Sequence, residues 1–592
     1  MSSIARQNPG PAGMFGKLEP LGPLGRSLGL GLAWLLLYLA GPGIVTGNGL
    51  FLLAPFGVGV WALFASRPGR WSFWIEVALG CAAWCGICSW AAKVHWSSLL
   101  FIGPGFGLYY ASAGALLRRL SVRYPLVIAA PAAWLGIETL RTVLEPPFGL
   151  SWMRLGIHAH DVPWLAGSAR VYGVFGLTYV LVAAGAGLAQ WGRAAALEGA
   201  ERRAHRRWAL AGGGGPLMLA LVLSFATEPP EFERGPRVLL VQPAIPQQRK
   251  MQSRTFDDLY LEGMALTRHG LDEAKRAGEP PADIVAWGES MLPLFAIDPG
   301  LRAAVQQGAR PAPWIDAVFD ERLIDGWEQL ETDWVRRGLL PGASGGQGML
   351  PPGAVFLSGV EVLLARDGLI GRQNAITLWG ANGTRTAHVG KKHLVPGAET
   401  MLGLERFAPV RKTIFALAGY VPDLLEHRGS RRLSFTDRRG REFTLSASVC
   451  FDNAYDGAFV EPLLEGPLDF HFVASNEAWF RGDQEQDQMI AFSRLAAIST
   501  GRSIVRATNS GVTAVVDPAG REVARLVVGG RDREVAGTLR ADVPVPTVAG
   551  RSSQTPYVRS WRLWPSIALL WPLALLLAPR RRRAGNREPA QG

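Results

Sequence analysis

The sequence predicts a chain in two parts: a bundle of membrane-spanning α-helices, then an α/β domain held on one side of the bilayer, closed by a last span. Three observations carry this reading. Of 592 residues 48% are hydrophobic and only 19% charged, with a mean hydropathy of +0.13, and the apolar excess sits in discrete runs. Arginines cluster between alternate runs. After Pro229-Pro230 the pattern changes to short β-rich runs separated by polar or glycine-rich turns.

The apolar runs come first, at about 27–45, 49–66, 72–92, 97–117, 125–140, 170–192 and 208–226, with a last one at about 561–578. Each is close to the roughly 20 residues that cross a bilayer. The first is not a cleavable signal, because apolar segments keep recurring after it and no small-residue cleavage site stands out. Arg67 and Arg70, then Arg118, Arg119 and Arg123, then Arg193, Arg202, Arg203, Arg206 and Arg207 fall in alternate loops, and Arg580 to Arg583 follow the final run. All lie on one side if the chain makes eight spans with a cytoplasmic N-terminus, which puts 227–560 on the far side. The net charge of +12 is then a topology signal, and no nucleic-acid partner is expected. The division is 1–226 as a transmembrane domain of about seven spans, 227–560 as the α/β domain, and 561–592 as a last helix with a basic cytoplasmic tail.

Two polar features lie inside the spans. Cys85-x-x-Cys88 has metal-site spacing but no second ligand pair, so it reads as small core residues, and no metal is expected. Glu138 and Arg141 stand three apart near a span end, where a paired or snorkelling role comes before a catalytic one.

In the α/β domain the strand candidates are 238–241, 284–287, 355–358, 375–378, 445–449, 470–474, 503–505 and 512–516, with helices at about 253–277 and 484–500. The stretch 300–352 breaks this rhythm with a helical Trp314 to Arg337 and a glycine-rich loop from Leu340 to Gly348, and it reads as an insertion.

Three polar residues stand where strands end, the usual place for chemistry in an α/β domain. Glu289 follows Ile284-Val-Ala-Trp-Gly288; Lys391 opens Lys391-Lys-His-Leu-Val-Pro-Gly-Ala-Glu399; Cys450 ends Thr444-Leu-Ser-Ala-Ser-Val449. Cys450 has no disulfide partner in its own domain, because the other cysteines, Cys81, Cys85 and Cys88, lie in an apolar run. A free thiol is mostly protonated at neutral pH, so acyl transfer needs a carboxylate to take its proton and a cation to stabilise the charge that develops. Taken singly, a solvated acid, a surface lysine and a core cysteine explain the same residues.

At these residues the sequence resembles the nitrilase (carbon–nitrogen hydrolase) superfamily, and within it the membrane-bound apolipoprotein N-acyltransferase branch. The resemblance rests on Val238-Leu-Leu-Val-Gln-Pro-Ala-Ile-Pro-Gln247, Trp287-Gly-Glu-Ser290, Lys391-Lys-His-Leu-Val-Pro396, Ser475-Asn-Glu-Ala-Trp-Phe480 and Arg506-Ala-Thr-Asn-Ser-Gly511. In the apolar part it rests on Phe148-Gly-Leu-Ser-Trp152 and Tyr172-Gly-Val-Phe-Gly-Leu-Thr-Tyr179. It implies an α-β-β-α sandwich with Glu289 as general base, Lys391 as stabilising lysine and Cys450 as nucleophile, supported by Glu399 and by a backbone amide near Phe451. It also implies that Glu399 matters more than Asp452. The chain departs from the family pattern at Gly288 for proline, Val389 for tyrosine, Met251 for tryptophan, Gly397-Ala398 for Phe-Gly, and Phe451-Asp452 for Tyr-Glu.

The function implied is transfer of a fatty acyl chain from a phospholipid, through a cysteine thioester, to the N-terminal amine of a diacylglyceryl-modified lipoprotein. No cofactor is implied, and the place implied is a bacterial inner membrane with the catalytic domain facing the periplasm. A membrane-anchored nitrilase-type amidase shares the three residues but has no need of eight spans. A catalytically silent nitrilase-like scaffold has no need of an intact Glu289, Lys391 and Cys450.

Overall fold

The structure, a computed structural model, describes residues 22–144, 146, 148–250, 256–312, 321–340, 348–418, 421–482 and 484–579. Met251, the first part of the helix expected from Trp314, the glycine-rich 341–347 and Arg580 to Arg583 lie outside these residues.

Every apolar run forms a helix. Pro23–Ala40, Ser98–Ser121, Leu126–Val143, Ala169–Ala194 and Gly199–Ala226 are long and apolar enough to cross a membrane, and Leu53–Ala65, Ser72–Ile87 and Leu563–Leu577 are shorter apolar helices. The third run was expected to continue to 92 but its helix stops at Ile87, and the reason lies in the other domain. Gln484 Nε2 donates to the carbonyls of Gly86 and Ile87, and Gln488 Nε2 to that of Ile87, so side chains from the α/β domain satisfy carbonyls that the helix end leaves open.

The bundle has a basic end. Arg26 reaches the carbonyls of Phe64 and Arg67, Arg118 reaches that of Ala65, both approach Glu76, and Arg193 donates to Ser66 Oγ. Arginines from the ends of three separate helices thus gather around the C-terminus of Leu53–Ala65, where a helix presents bare carbonyls. The other end of the bundle carries the α/β domain, as the glutamine contacts at Ile87 show.

That domain contains two sheets. In chain order its strands are β1 Phe232–Gln242, β2 Ile284–Trp287, β3 Phe295–Ile297, β4 Arg310–Pro311, β5 Val355–Arg366, β6 Leu369–Trp379, β7 Arg385–Gly390, β8 Arg432–Thr436, β9 Glu442–Val449, β10 Phe470–Ser475, β11 Ser503–Thr508, β12 Ala514–Val516, β13 Glu522–Arg525 and β14 Gly537–Pro546. The first sheet runs β14-β1-β2-β5-β6-β4, with β3 on β5 and β7 on β6; the second runs β13-β12-β11-β10-β9-β8. β1, β2 and β5 are parallel, as are β9, β10 and β11.

Alternation decides which side chains meet. Val238, Leu240, Ile284, Ala286, Leu357 and Ile376 of the first sheet pack against Leu445, Ala447, Phe470, Phe472, Val505 and Val515 of the second. Their neighbours point outward: Leu239, Val285, Trp287 and Phe356 pack beneath helix Phe256–Arg276, and Val473, Ile504 and Ala514 beneath Glu485–Thr500. The result is the α-β-β-α sandwich that was expected. The segment read as an insertion adds Glu321–Glu331 and Thr332–Leu339 to the outer layer of the first sheet, where Val335 and Leu339 join the core and Glu331 Oε1 accepts from Trp379 Nε1 at 2.8 Å.

Candidate active site

β2, β7 and β9 end close together and deliver Glu289, Lys391 and Cys450 to one place. Lys391 Nζ lies 3.9 Å from Glu289 Oε1 and donates to Glu399 Oε1 at 2.8 Å. Glu289 Oε1 also accepts from Asn374 Nδ2 on β6 at 2.7 Å, and Glu399 Oε2 accepts from the Val395 amide at 2.9 Å. Lys391 is 1% exposed and Glu289 6%. Two carboxylates therefore share one buried ammonium.

Cys450 follows β9 and opens a 3₁₀ turn, Cys450–Ala454, with φ at +46°. A non-glycine residue in this left-handed region carries strain that its surroundings must hold. Asp452 does much of the holding. Its carboxylate accepts from the amides of Val449 at 3.2 Å, Lys392 at 3.3 Å and His393 at 2.8 Å, and lies 2.8 Å from His393 Nδ1. It thereby ties the segment after Lys391 to the turn after Cys450. The sequence reading had ranked Asp452 below Glu399; the structure gives it more partners, all of them at the join between these two segments.

Charge and burial set the resting protonation. Burial pushes the Cys450 thiol well above its ordinary value, Glu289 adds to the rise, and Lys391 opposes it, so the resting group is a thiol. Burial works against the Lys391 ammonium, but Glu399, Cys450 and Glu289 outweigh it and raise its pKa. Burial raises Glu399 although Lys391 pulls it down. Burial also disfavours the Asp452 carboxylate, yet His393 and Arg431 hold it well below the usual carboxylate range.

The motifs on which the resemblance rests frame this site. Ile245 N donates to Asn509 Oδ1 at 2.9 Å, Asn509 Nδ2 to Asn476 Oδ1 at 2.9 Å, and Asn476 Nδ2 to Gln247 Oε1 at 2.7 Å. Arg506 and Glu477 form a fully buried pair at 2.5 Å. Gly288, which stands where the family has proline, has no room for a Cβ, which would lie 2.8 Å from the Thr508 carbonyl carbon.

The turn after Cys450 is also where the two domains meet. The Phe451 ring stacks on Trp152 at 5.9 Å between centroids, and Trp152 Nε1 donates to Gln488 Oε1 at 2.8 Å. Ser151 Oγ donates to the Ala454 carbonyl at 2.8 Å, and Arg154 grips Asp456 with two bonds of 2.8 and 2.6 Å. Glu138 and Arg141 stand behind this loop as the pair that was expected: Arg141 Nη1 donates to the carbonyls of Leu150 and Trp152, and Glu138 Oε2 accepts from the Leu155 amide. Cys81 and Cys85 both face Gly103, and among the described residues no group of three or more His, Cys, Asp or Glu side chains is placed to hold a metal ion.

Sequence reasoning missed Asn374, the reach of Asp452 and His393, and the Arg154–Asp456 grip. Asn374 had a signal, since Arg372-Gln-Asn374 is a polar triplet, with its last two members buried, in a strand whose other residues but Thr377 are apolar.

The comparisons with known proteins agree with the motif resemblance. Residues 33–187 match the family described as the apolipoprotein N-acyltransferase N-terminal domain. The apolipoprotein N-acyltransferase of Bordetella bronchiseptica is 28% identical over 94% of this chain and 86% of its own. That of Methylococcus capsulatus is 26% identical over 92% of this chain and 89% of its own. Among solved structures, a carbon-nitrogen hydrolase from Helicobacter pylori G27 aligns with 56% of this chain and 93% of its own at 13% identity and a TM-score of 0.32.

Proposed function

Starting from a chain that is similar over more than nine-tenths of its length to apolipoprotein N-acyltransferases, we propose that it moves an acyl chain from a phospholipid to the N-terminal amine of a diacylglyceryl-modified lipoprotein, with Cys450 as carrier. The observation that carries this reading is the position of Cys450. It stands in a strained turn beside Glu289 and Lys391, and the next residue packs on an aromatic side chain of the apolar helical domain.

Glu289 takes the Cys450 proton as the sulfur attacks the ester carbonyl of the phospholipid. The oxygen that gains negative charge is stabilised by the Lys391 ammonium and by a backbone amide near Phe451. As the intermediate collapses, the ester C–O bond breaks, the lysophospholipid alkoxide takes the proton from Glu289, and a thioester remains on Cys450. Glu289 then accepts a proton from the incoming amine, whose nitrogen attacks the thioester; the C–S bond breaks and the proton returns to sulfur. Glu399 keeps Lys391 charged and in place. The Phe451 and Trp152 rings at the turn after Cys450 shield the thioester from water, which is the difference between a transferase and a hydrolase.

The basic end of the bundle lies opposite the α/β domain, which supports a cytoplasmic basic end and a periplasmic active site in an inner membrane. The division into a transmembrane domain at 1–226, a catalytic domain at 227–560 and a terminal helix from 561 belongs to the same proposal.

The test is intact-mass analysis of the purified protein in phospholipid nanodiscs. Phospholipid alone should leave one acyl group on Cys450, and a lipopeptide with a free N-terminal amine should discharge it while a blocked one does not. An adduct on another residue, or N-acylation that survives Cys450→Ala, would overturn the reading; turnover of a soluble amide without any lipid adduct would favour the amidase.

A further inference from the structure

The short helix Gln247–Lys250 follows the Val238–Gln247 motif, and its last side chain reaches the proposed base. Lys250 Nζ donates to the backbone carbonyl of Glu289 at 3.0 Å, and Lys250 is half-buried. The backbone there is tightly held. Ser290 has φ at +50°, the Gly359 amide donates to the Gly288 carbonyl at 3.2 Å, and a Cβ on Gly359 would stand 2.5 Å from Glu289 Cα. Strand β5 therefore fixes the chain on one side of Glu289, while Lys250 holds the carbonyl of Glu289 itself.

The charges around Glu289 come from several elements. Lys391 after β7 lies 3.9 Å away, Glu399 shares that lysine, Cys450 follows β9, and Asn374 on β6 is a neutral donor. Glu361 on β5 acts on Lys250 and is itself 3.3 Å from Arg372. Lys391 alone stands between two carboxylates, and Lys250 is a second cation on which Glu289 acts.

We propose that Lys250 is a positioning residue for Glu289, holding its backbone carbonyl just before the left-handed Ser290 and setting a second positive charge near the base that receives the Cys450 proton. The inference rests on Glu289 acting as the base. Burial lowers the pKa of Lys250 to about 8, against the pull of Glu289 and Glu361, so the side chain is charged at pH 7. A nearby positive charge favours the ionised form of a carboxyl group, so loss of the Lys250 charge moves the acidic limit of the reaction to higher pH.

The experiment measures the rate of acyl-adduct formation on Cys450 against pH, for the full-length protein in phosphatidylethanolamine nanodiscs. Lys250→Met should move the acidic limb upward by at least about one pH unit and lower the plateau about tenfold. Lys250→Gln, which keeps a donor but no charge, should show the same movement with a plateau nearer wild type, and Lys250→Arg should leave the limb in place. Should Lys250→Met fail to fold, Lys250→Gln decides alone. A limb that stays put in both neutral variants overturns the inference, whatever happens to the plateau. Glu289→Gln separates the two levels: adduct formation retained there removes the functional reading itself, while its loss there beside unshifted Lys250 variants removes only the role of Lys250.

Discussion

Two of the buried acid–base groups, one behind the loop that packs on Phe451 and one beside Cys450, differ in what they leave unused. Glu138 and Arg141 sit 3.7 Å apart at 2% and 0% side-chain exposure. Glu138 accepts from the Leu155 amide, Thr178 Oγ1, Trp134 Nε1 and Tyr110, while Arg141 serves three carbonyls and lies over the Trp84 and Phe106 rings. Every interaction there ends on a fixed partner. In the second group Lys391 bonds to Glu399 and stands 3.9 Å from Glu289, beyond hydrogen-bond range, next to a thiol in a strained turn. The first pair, in which only Arg141 Nε lacks a hydrogen-bond partner, has the character of scaffold; the second, unbalanced and with room to move a proton, has what the proposed acyl transfer calls for.

That contrast gives the largest expected effect. Glu289→Gln should slow adduct formation on Cys450 by about 10²–10⁴-fold with little change in thermal unfolding. Glu138→Gln should do the reverse: it uncouples a buried pair, so unfolding in detergent should report a loss of about 3–5 kcal/mol, while the folded fraction reacts within about tenfold of wild type. If Glu138→Gln proved as slow as Glu289→Gln at full stability, the two groups would not differ as described.

How far the sequence revealed these groups follows from physics that can be named. The apolar runs and the eight buried strands were visible because burial on one or both faces leaves a compositional trace. β14 was not: Gly537–Pro546 alternates with Arg540 and Asp542 and carries two prolines, the marks of an edge strand, and only its pairing with β1 makes it one. Glu289, Lys391 and Cys450 were visible because each follows a strand end. The Arg154–Asp456 grip and the Trp152–Phe451 stack join residues about three hundred positions apart, and no local pattern marks such a pair. The strain at Cys450 was hidden for the same reason, since backbone angles are imposed by the partners of Asp452 and leave no signal in composition.

An intermediate effect sharpens the comparison within the proposed site. Asp452→Asn should slow adduct formation at least as much as Glu399→Gln, because Asp452 joins Val449, Lys392 and His393 whereas Glu399 serves Lys391 and Val395. The two should differ in sign in acid. The depressed pKa of Asp452 contributes stability that is present above its unfolded value near 4 and is lost as pH falls toward the folded value. Glu399, raised by burial, contributes the opposite slope, losing stability as pH rises from about 4.3 through its folded value. Unfolding midpoints between about pH 3 and 6 should therefore vary less steeply in Asp452→Asn than in wild type and more steeply in Glu399→Gln. Parallel curves would show that Asp452 is not the tie between the two segments.

The smallest expected effect tests whether the domain seam positions Cys450 or only packs behind it. Trp152→Phe keeps an aromatic ring for Phe451 but removes the Nε1 donor to Gln488, whose Oε1 retains Trp90 Nε1 at 3.1 Å. One lost neutral hydrogen bond with its acceptor still satisfied corresponds to about 1 kcal/mol, and adduct formation should fall by no more than about threefold. Trp152→Ala also removes the stacked ring and opens a cavity beside Phe451, so the turn that carries Cys450 loses its support from the bundle. Its loss of stability should reach about 3–5 kcal/mol, and the slowing in protein that remains folded should exceed that of Trp152→Phe. If the alanine variant, once folded, reacted as fast as the phenylalanine variant, the strained turn would be held by Asp452 and its own domain alone, and the contact with the membrane helices would serve the lipid substrates and not the nucleophile.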